Sequence, residues 1–129
     1  MNLEVLPAAF SVCKVADYRG VSRDAPFVFT AATDTEKSLV CPTPLVPPAT
    51  LAREDGWRAF RVEGPLDFSL VGILASLSDT LAAAGVGLFA VSTFDTDYIL
   101  VKAADLDLAL DALRAAGHRI AMPPTERTP

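Results

Sequence analysis

Acid–base and nucleophilic chemistry usually rests on histidine, and this chain of 129 residues holds one, His118. It follows Gly117, a helix-ending residue, at a position where the helix dipole favours a polar or cationic side chain. A serine–histidine–aspartate triad can be drawn only by arbitrary choice. Asp95 and Asp97 are close enough in sequence to share a proton or hold a hard cation. No third and fourth oxygen ligand follows at fixed spacing, so they read as turn formers. Cys13 and Cys41 are too few for a disulfide framework and lack neighbours at metal-ligand spacing. Both read as reduced, buried, small hydrophobes. Gly64, Gly72, Gly85 and Gly87 form neither a dinucleotide fingerprint nor a phosphate-binding loop. The residues point to no enzyme, no metal and no cofactor.

One other arrangement is chemically coherent. Segment 67–72 leads into a helix N-terminus, whose backbone N–H groups suit a carboxylate, and Gly72 lets a ligand come close to the backbone. Asp97 can supply the counter-charge for an amine, and Thr93 a hydroxyl. An α-amino acid needs those groups, although the same residues also read as a capped helix and an ordinary turn.

The elements that must position these residues lie in the second half. Residues 57–63 nearly alternate apolar and polar, as in a strand with one wet face, and Gly64 and Pro65 end it. Leu70, Ile73, Leu74, Leu77 and Leu81 mark one helix face, which Gly85 terminates. Residues 86–92 and 98–101 read as strands joined by the turn 93–97. A second helix spans 105–116, with Leu106, Ala109, Leu110 and Leu113 inward, and residues 118–122 form a last strand. The tail 123–129 is polar and proline-rich. The order β-α-β-β-α-β predicts the α+β ferredoxin-like fold.

The first half repeats parts of this plan. A shift of 61 lays Asp34-Thr35-Glu36 over Asp95-Thr96-Asp97, and a shift of 47 lays Lys14-Val15 over Arg61-Val62. Residues 27–40 then form a hairpin, the first helix is cut to a loop, and the prolines of 42–48 replace the second helix. The expected divisions are 1–56, an abbreviated first unit; 57–122, a complete unit; and 123–129, a tail.

Composition excludes several partners. A hydrophobic fraction of 51% suits a packed core, and a net charge of −5 draws the chain to neither phosphate backbones nor anionic lipid. No basic leader or membrane-length apolar run is present, so the expected location is the cytoplasm, with no nucleic-acid or membrane partner.

The runs 71–77, 81–86 and, above all, Ser92-Thr93-Phe94-Asp95-Thr96-Asp97-Tyr98-Ile99-Leu100-Val101 resemble the ACT-domain family. The similarity is to ACT units of cytosolic arginine sensors, small bacterial tandem-ACT proteins and aspartate-kinase-like regulatory domains. It covers 57–122 well and the first half through 27–40. The resemblance implies a non-catalytic regulatory protein that binds an amino acid or related small molecule and signals to a protein partner; the exposed edges and uncovered face of a four-stranded sheet, with 51% hydrophobic residues, lead us to expect a homodimer. It places ligand contacts at Val71, Gly72, Ile73, Thr93, Phe94 and Asp97. The alternative is a structural, dimerising module without a ligand.

Overall fold

The computed structural model describes residues 1–63 and 72–126. Two compact units divide the chain: Met1–Pro7 together with Arg58–Pro129, and Ala8–Trp57. The sequence sets the boundary at 56/57, whereas the structure also gives the first seven residues to the C-terminal unit. The reason lies in β1 (Asn2–Val15), one uninterrupted strand of 14 residues. No turn signal marks the point where its residues pass from one unit to the other.

The C-terminal unit contains the start of β1 and the end of β4 (Ala52–Val62). It continues through α1 (Ile73–Ala83), β5 (Phe89–Ser92), β6 (Asp97–Lys102), α2 (Leu106–Ala115) and β7 (Arg119–Ala121). Its strands lie in the order β7-β1-β4-β6-β5. From β4 onward this is the expected β-α-β-β-α-β order. The unexpected strand is β1, which pairs in parallel with β7, Asn2 opposite Arg119. The Glu63 N–H also donates to the Asn2 carbonyl at 2.9 Å.

Both helices form where the periodicity requires. In α2 the buried residues are Leu106, Ala109, Leu110 and Leu113, the stripe read from sequence. Leu77 and Leu81 of α1 meet them in a core completed by Leu3, Val5, Phe60, Val62, Ile99 and Val101. Burying each large aliphatic side chain contributes about 1.5–3 kcal/mol. Gly85 closes α1, with Val86 N–H on the Leu81 carbonyl at 2.9 Å and Gly85 N–H on the Ala82 carbonyl at 3.0 Å. Those bonds make a Schellman motif, and the left-handed φ of 77° explains the glycine.

The inserted unit, Ala8–Trp57, keeps the strands and loses both helices. β2 (Phe29–Ala32) and β3 (Lys37–Pro42) form the expected hairpin, and β3 pairs antiparallel with β1. A single 3₁₀ turn, Thr43–Leu45, stands in the proline segment. The core is Cys13, Val15, Leu39 and Cys41, covered by Tyr18, Val21, Val28, Leu45 and Val46 from the segments that replace the helices. Both cysteines are free.

The hairpin repeat has a different offset from the one read in sequence. Phe29 opposes Val40 as Phe89 opposes Leu100, a shift of 60 rather than 61. One residue of slip moves every side chain of a strand to the other face. Lys37, not Glu36, therefore corresponds to Asp97, and Thr33 corresponds to Thr93. Chemical likeness between Asp34-Thr35-Glu36 and Asp95-Thr96-Asp97 obscured this.

Candidate functional site

The site is built on the turn between β5 and β6. Thr93 N–H donates to the Thr96 carbonyl at 2.8 Å, and the Thr93 hydroxyl donates to the same oxygen at 3.0 Å. The Thr93 hydroxyl proton is thus used inside the turn. Thr96, 9% exposed, donates its hydroxyl to the Val62 carbonyl at 2.6 Å. This bond fixes the turn against the end of β4.

An open cleft of about 400 Å³ lies between these two segments, lined by Glu4, Arg61, Val62, Glu63, Asp95, Thr96 and Tyr98. Arg61 donates to Glu4 Oε1 at 2.9 Å and to the Tyr98 hydroxyl at 3.3 Å. The Tyr98 hydrogen bond, helped by the Glu4 charge, holds the guanidinium above the usual arginine range despite partial burial. Glu63 and Asp95 add two carboxylates to the wall. The cleft thus presents one guanidinium, three carboxylates and a phenol, a set suited to a small charged organic molecule.

Among the described residues, none of those selected from sequence lines this cleft. Thr93 and Phe94 belong to the turn, Phe94 being 83% exposed, and Asp97 opens β6 opposite Ser92. Gly72 is the N-cap residue of α1, with φ 83°, and Ile73 begins the helix and packs on the core. Val71 lies outside the described residues. No side chain caps α1 among the described residues, its first turn has no acid, and a Cβ at Gly72 would meet nothing within 4 Å. Among the described residues, then, no capping side chain or first-turn carboxylate compensates the partial positive charge of this helix N-terminus.

Sequence reasoning missed Glu4, Arg61, Glu63 and Tyr98 as lining residues. The alternation in 57–63 already placed Arg61 and Glu63 on one wet face. Glu4 carried no such signal, because the strand that brings it to Arg61 was not apparent. His118 sits beside the amino terminus; burial, and then the Met1 ammonium, lower its pKa below the usual histidine value. Among the described residues no three His, Cys, Asp or Glu side chains converge on a metal position. No described helix is long and apolar enough to cross a membrane.

Residues 52–115 match the family model described as an ACT domain. A crystal structure of an Agrobacterium tumefaciens protein is 30% identical over 99% of this chain and 97% of that one, with a TM-score of 0.85. The chain belongs to the ACT-domain family. Residues of this ACT protein are also 37% identical over 59 positions to the rat cytosolic arginine sensor for mTORC1 subunit 1. That match covers 45% of this chain and 18% of the sensor. The fold of the ACT chain recurs in aspartate kinase from Synechocystis, at a TM-score of 0.71 and 17% identity, over 99% of this chain and 28% of the enzyme.

Proposed function

We propose that this ACT protein is a non-catalytic, cytoplasmic regulator that binds an amino acid or related zwitterion in its C-terminal unit. The observation that carries the reading is the N-terminus of α1 at Gly72, where among the described residues no side chain caps the free backbone N–H groups. Residues 1–7 together with 58–122 act as the ligand-binding ACT unit and 8–57 as its abbreviated partner. The ligand carboxylate sits at the N-terminus of α1, on backbone at Val71, Gly72 and Ile73. Its amine pairs with Asp97, and Thr93 and Phe94 shape the turn beside it. Relatives named as an arginine sensor and an aspartate kinase support a role in amino-acid regulation. Regulation passes to a protein partner through ligand-dependent association, and the chain works as a homodimer.

A thermal-shift screen with the twenty amino acids tests the reading, since a ligand specific to the folded state raises stability with concentration. For a ligand so found, Asp97→Asn is expected to weaken binding by roughly ten- to hundredfold, the equivalent of about 1.5–3 kcal/mol for a charge-assisted hydrogen bond. Gly72→Asn keeps a residue that tolerates left-handed φ and puts a side chain before the helix N-terminus, so it is expected to reduce binding as strongly. Unchanged affinity in both folded variants, read by calorimetry, overturns the assignment. A sedimentation profile that is purely monomeric at tens of micromolar, an order-of-magnitude choice, overturns the dimer.

A further inference from the structure

The proline-rich tail that follows residue 122 has no part in the proposed site, yet its described portion is fastened to the C-terminal unit. Pro123 is buried, and a 3₁₀ turn, Pro124–Glu126, follows it with all three residues exposed. The Glu126 N–H donates to the Pro123 carbonyl at 2.9 Å. Among the described residues, every side-chain hydrogen bond of this turn comes from the Glu126 carboxylate. It accepts from both terminal nitrogens of Arg58, Oε1 at 3.0 Å and Oε2 at 2.8 Å. One glutamate therefore fastens the turn.

The two partners of this ion pair are not equivalent. The Arg58 side chain is only 16% exposed, and its Nε is buried with no hydrogen-bond partner among the described residues. A guanidinium so far out of water needs a carboxylate to compensate it. Its Nη2 also donates to the Leu6 carbonyl at 3.1 Å, a bond in which the tail has no share. Arg58 thus stays aimed at the same point when Glu126 is absent. Two parallel N–H···O bonds are the planar geometry by which arginine selects a carboxylate. Glu126, in contrast, sits in an exposed turn and can return its carboxylate to water. A fixed receptor and a detachable occupant are the two parts that an exchange requires.

We infer that Arg58 anchors a docking site for an acidic, proline-containing segment of a protein partner, and that the chain's own tail fills this site as an autoinhibitory stand-in. The chemistry of the occupant is given by the one seated there, Pro123-Pro124-Thr125-Glu126. Its prolines limit the entropy lost on docking, and its glutamate supplies the carboxylate. A tethered tail is present at high effective concentration, so a partner's segment binds only by outcompeting it. The inference stands on Arg58 and the tail and does not rest on amino-acid binding at α1.

The probe is the peptide acetyl-Pro-Pro-Thr-Glu-amide, titrated into the full ¹⁵N-labelled chain to about 10 mM, an order-of-magnitude choice. Glu126→Gln removes the tethered carboxylate at an exposed position, so the variant retains the fold. Saturable shifts at the amides of Leu6, Arg58 and their neighbours are expected in this variant, with an affinity at least about tenfold above that of the native chain. The same peptide with glutamine in place of glutamate is expected to give none, a control that leaves Arg58 untouched. Arg58→Met in the Glu126→Gln background is expected to abolish the shifts. Equal affinity in the native chain and the variant, a response to the glutamine peptide, or no saturable shift in the variant overturns the inference. Sedimentation distinguishes the remaining occupant: self-association of the native chain that Glu126→Gln weakens would seat a second copy's tail on Arg58 and overturn the docking of a different protein.

Discussion

Thr96 joins two segments through a single buried hydroxyl. Thr96→Val keeps the shape and leaves the Val62 carbonyl without that donor, so a loss of about 1–3 kcal/mol in unfolding free energy is expected by denaturant titration. Arg58 has a similar joining role. Its guanidinium donates to both carboxylate oxygens of Glu126, at 3.0 and 2.8 Å, and to the Leu6 carbonyl at 3.1 Å. The Arg58 hydrogen bonds hold the Glu126 carboxyl below its usual pKa. A depressed folded-state pKa gives stability that is present above the unfolded value of 4.5 and lost as pH falls below it. Melting temperature is therefore expected to fall more steeply in the native chain than in Arg58→Met between about pH 5 and about pH 3. Cys41 shows the opposite sign: burial pushes its thiol up to about 11. It is expected to resist thiol-specific reagents at neutral pH until the chain unfolds, as read by labelling with and without denaturant. At this scale Gly85, Gly117 and the α2 stripe were legible in sequence, because each follows from local geometry. The pairing of Arg61 with Glu4 was not, because it joins strands distant in sequence.

The helices and hairpins were legible because their periodicity is local and their ends carry glycine. β1 was less so: its burial alternates irregularly, and no turn separates the two parts that serve different units. The hairpin shift of 60 shows the limit of residue likeness, since register is set by backbone pairing. β5 raises a further point. It ends the strand order of its unit, is four residues long, and lies in a stretch, 80–94, without a charged residue. Charges are a common protection for such an edge. Thr93 bonds inward across the turn, so by alternation the outward N–H groups of β5 belong to Ala90 and Ser92. If the proposed homodimer forms along this edge, those two amides are expected to exchange slowly at high protein concentration and quickly on dilution. Fast exchange at both concentrations excludes that edge as the interface.

At the scale of the whole molecule, the C-terminal unit is discontinuous in sequence. Pro7 and Arg58 border the insertion, and the Arg58 bond to the Leu6 carbonyl shows that its two ends meet within the C-terminal unit. Replacing residues 8–57 by an Asn-Gly turn is expected to leave a folded C-terminal unit that still binds the ligand found by the screen. Circular dichroism and calorimetry on that shortened chain would check this, and a chain that fails to fold would show that the inserted unit is required.

That same insertion sets an order of events during synthesis. The strand 2–7 leaves the ribosome well before its partners β4 and β7, so it must wait unpaired while about 50 residues are added. Closing a flexible loop of that size costs roughly 3.5 kcal/mol in chain entropy. Residues 8–57 form a compact unit of their own, so they can fold during the wait and hold Pro7 near Arg58 before β4 is complete. The helix-less unit would then serve the C-terminal unit as an early closure of its longest connection. Destabilising it is expected to slow the folding of a region it does not belong to.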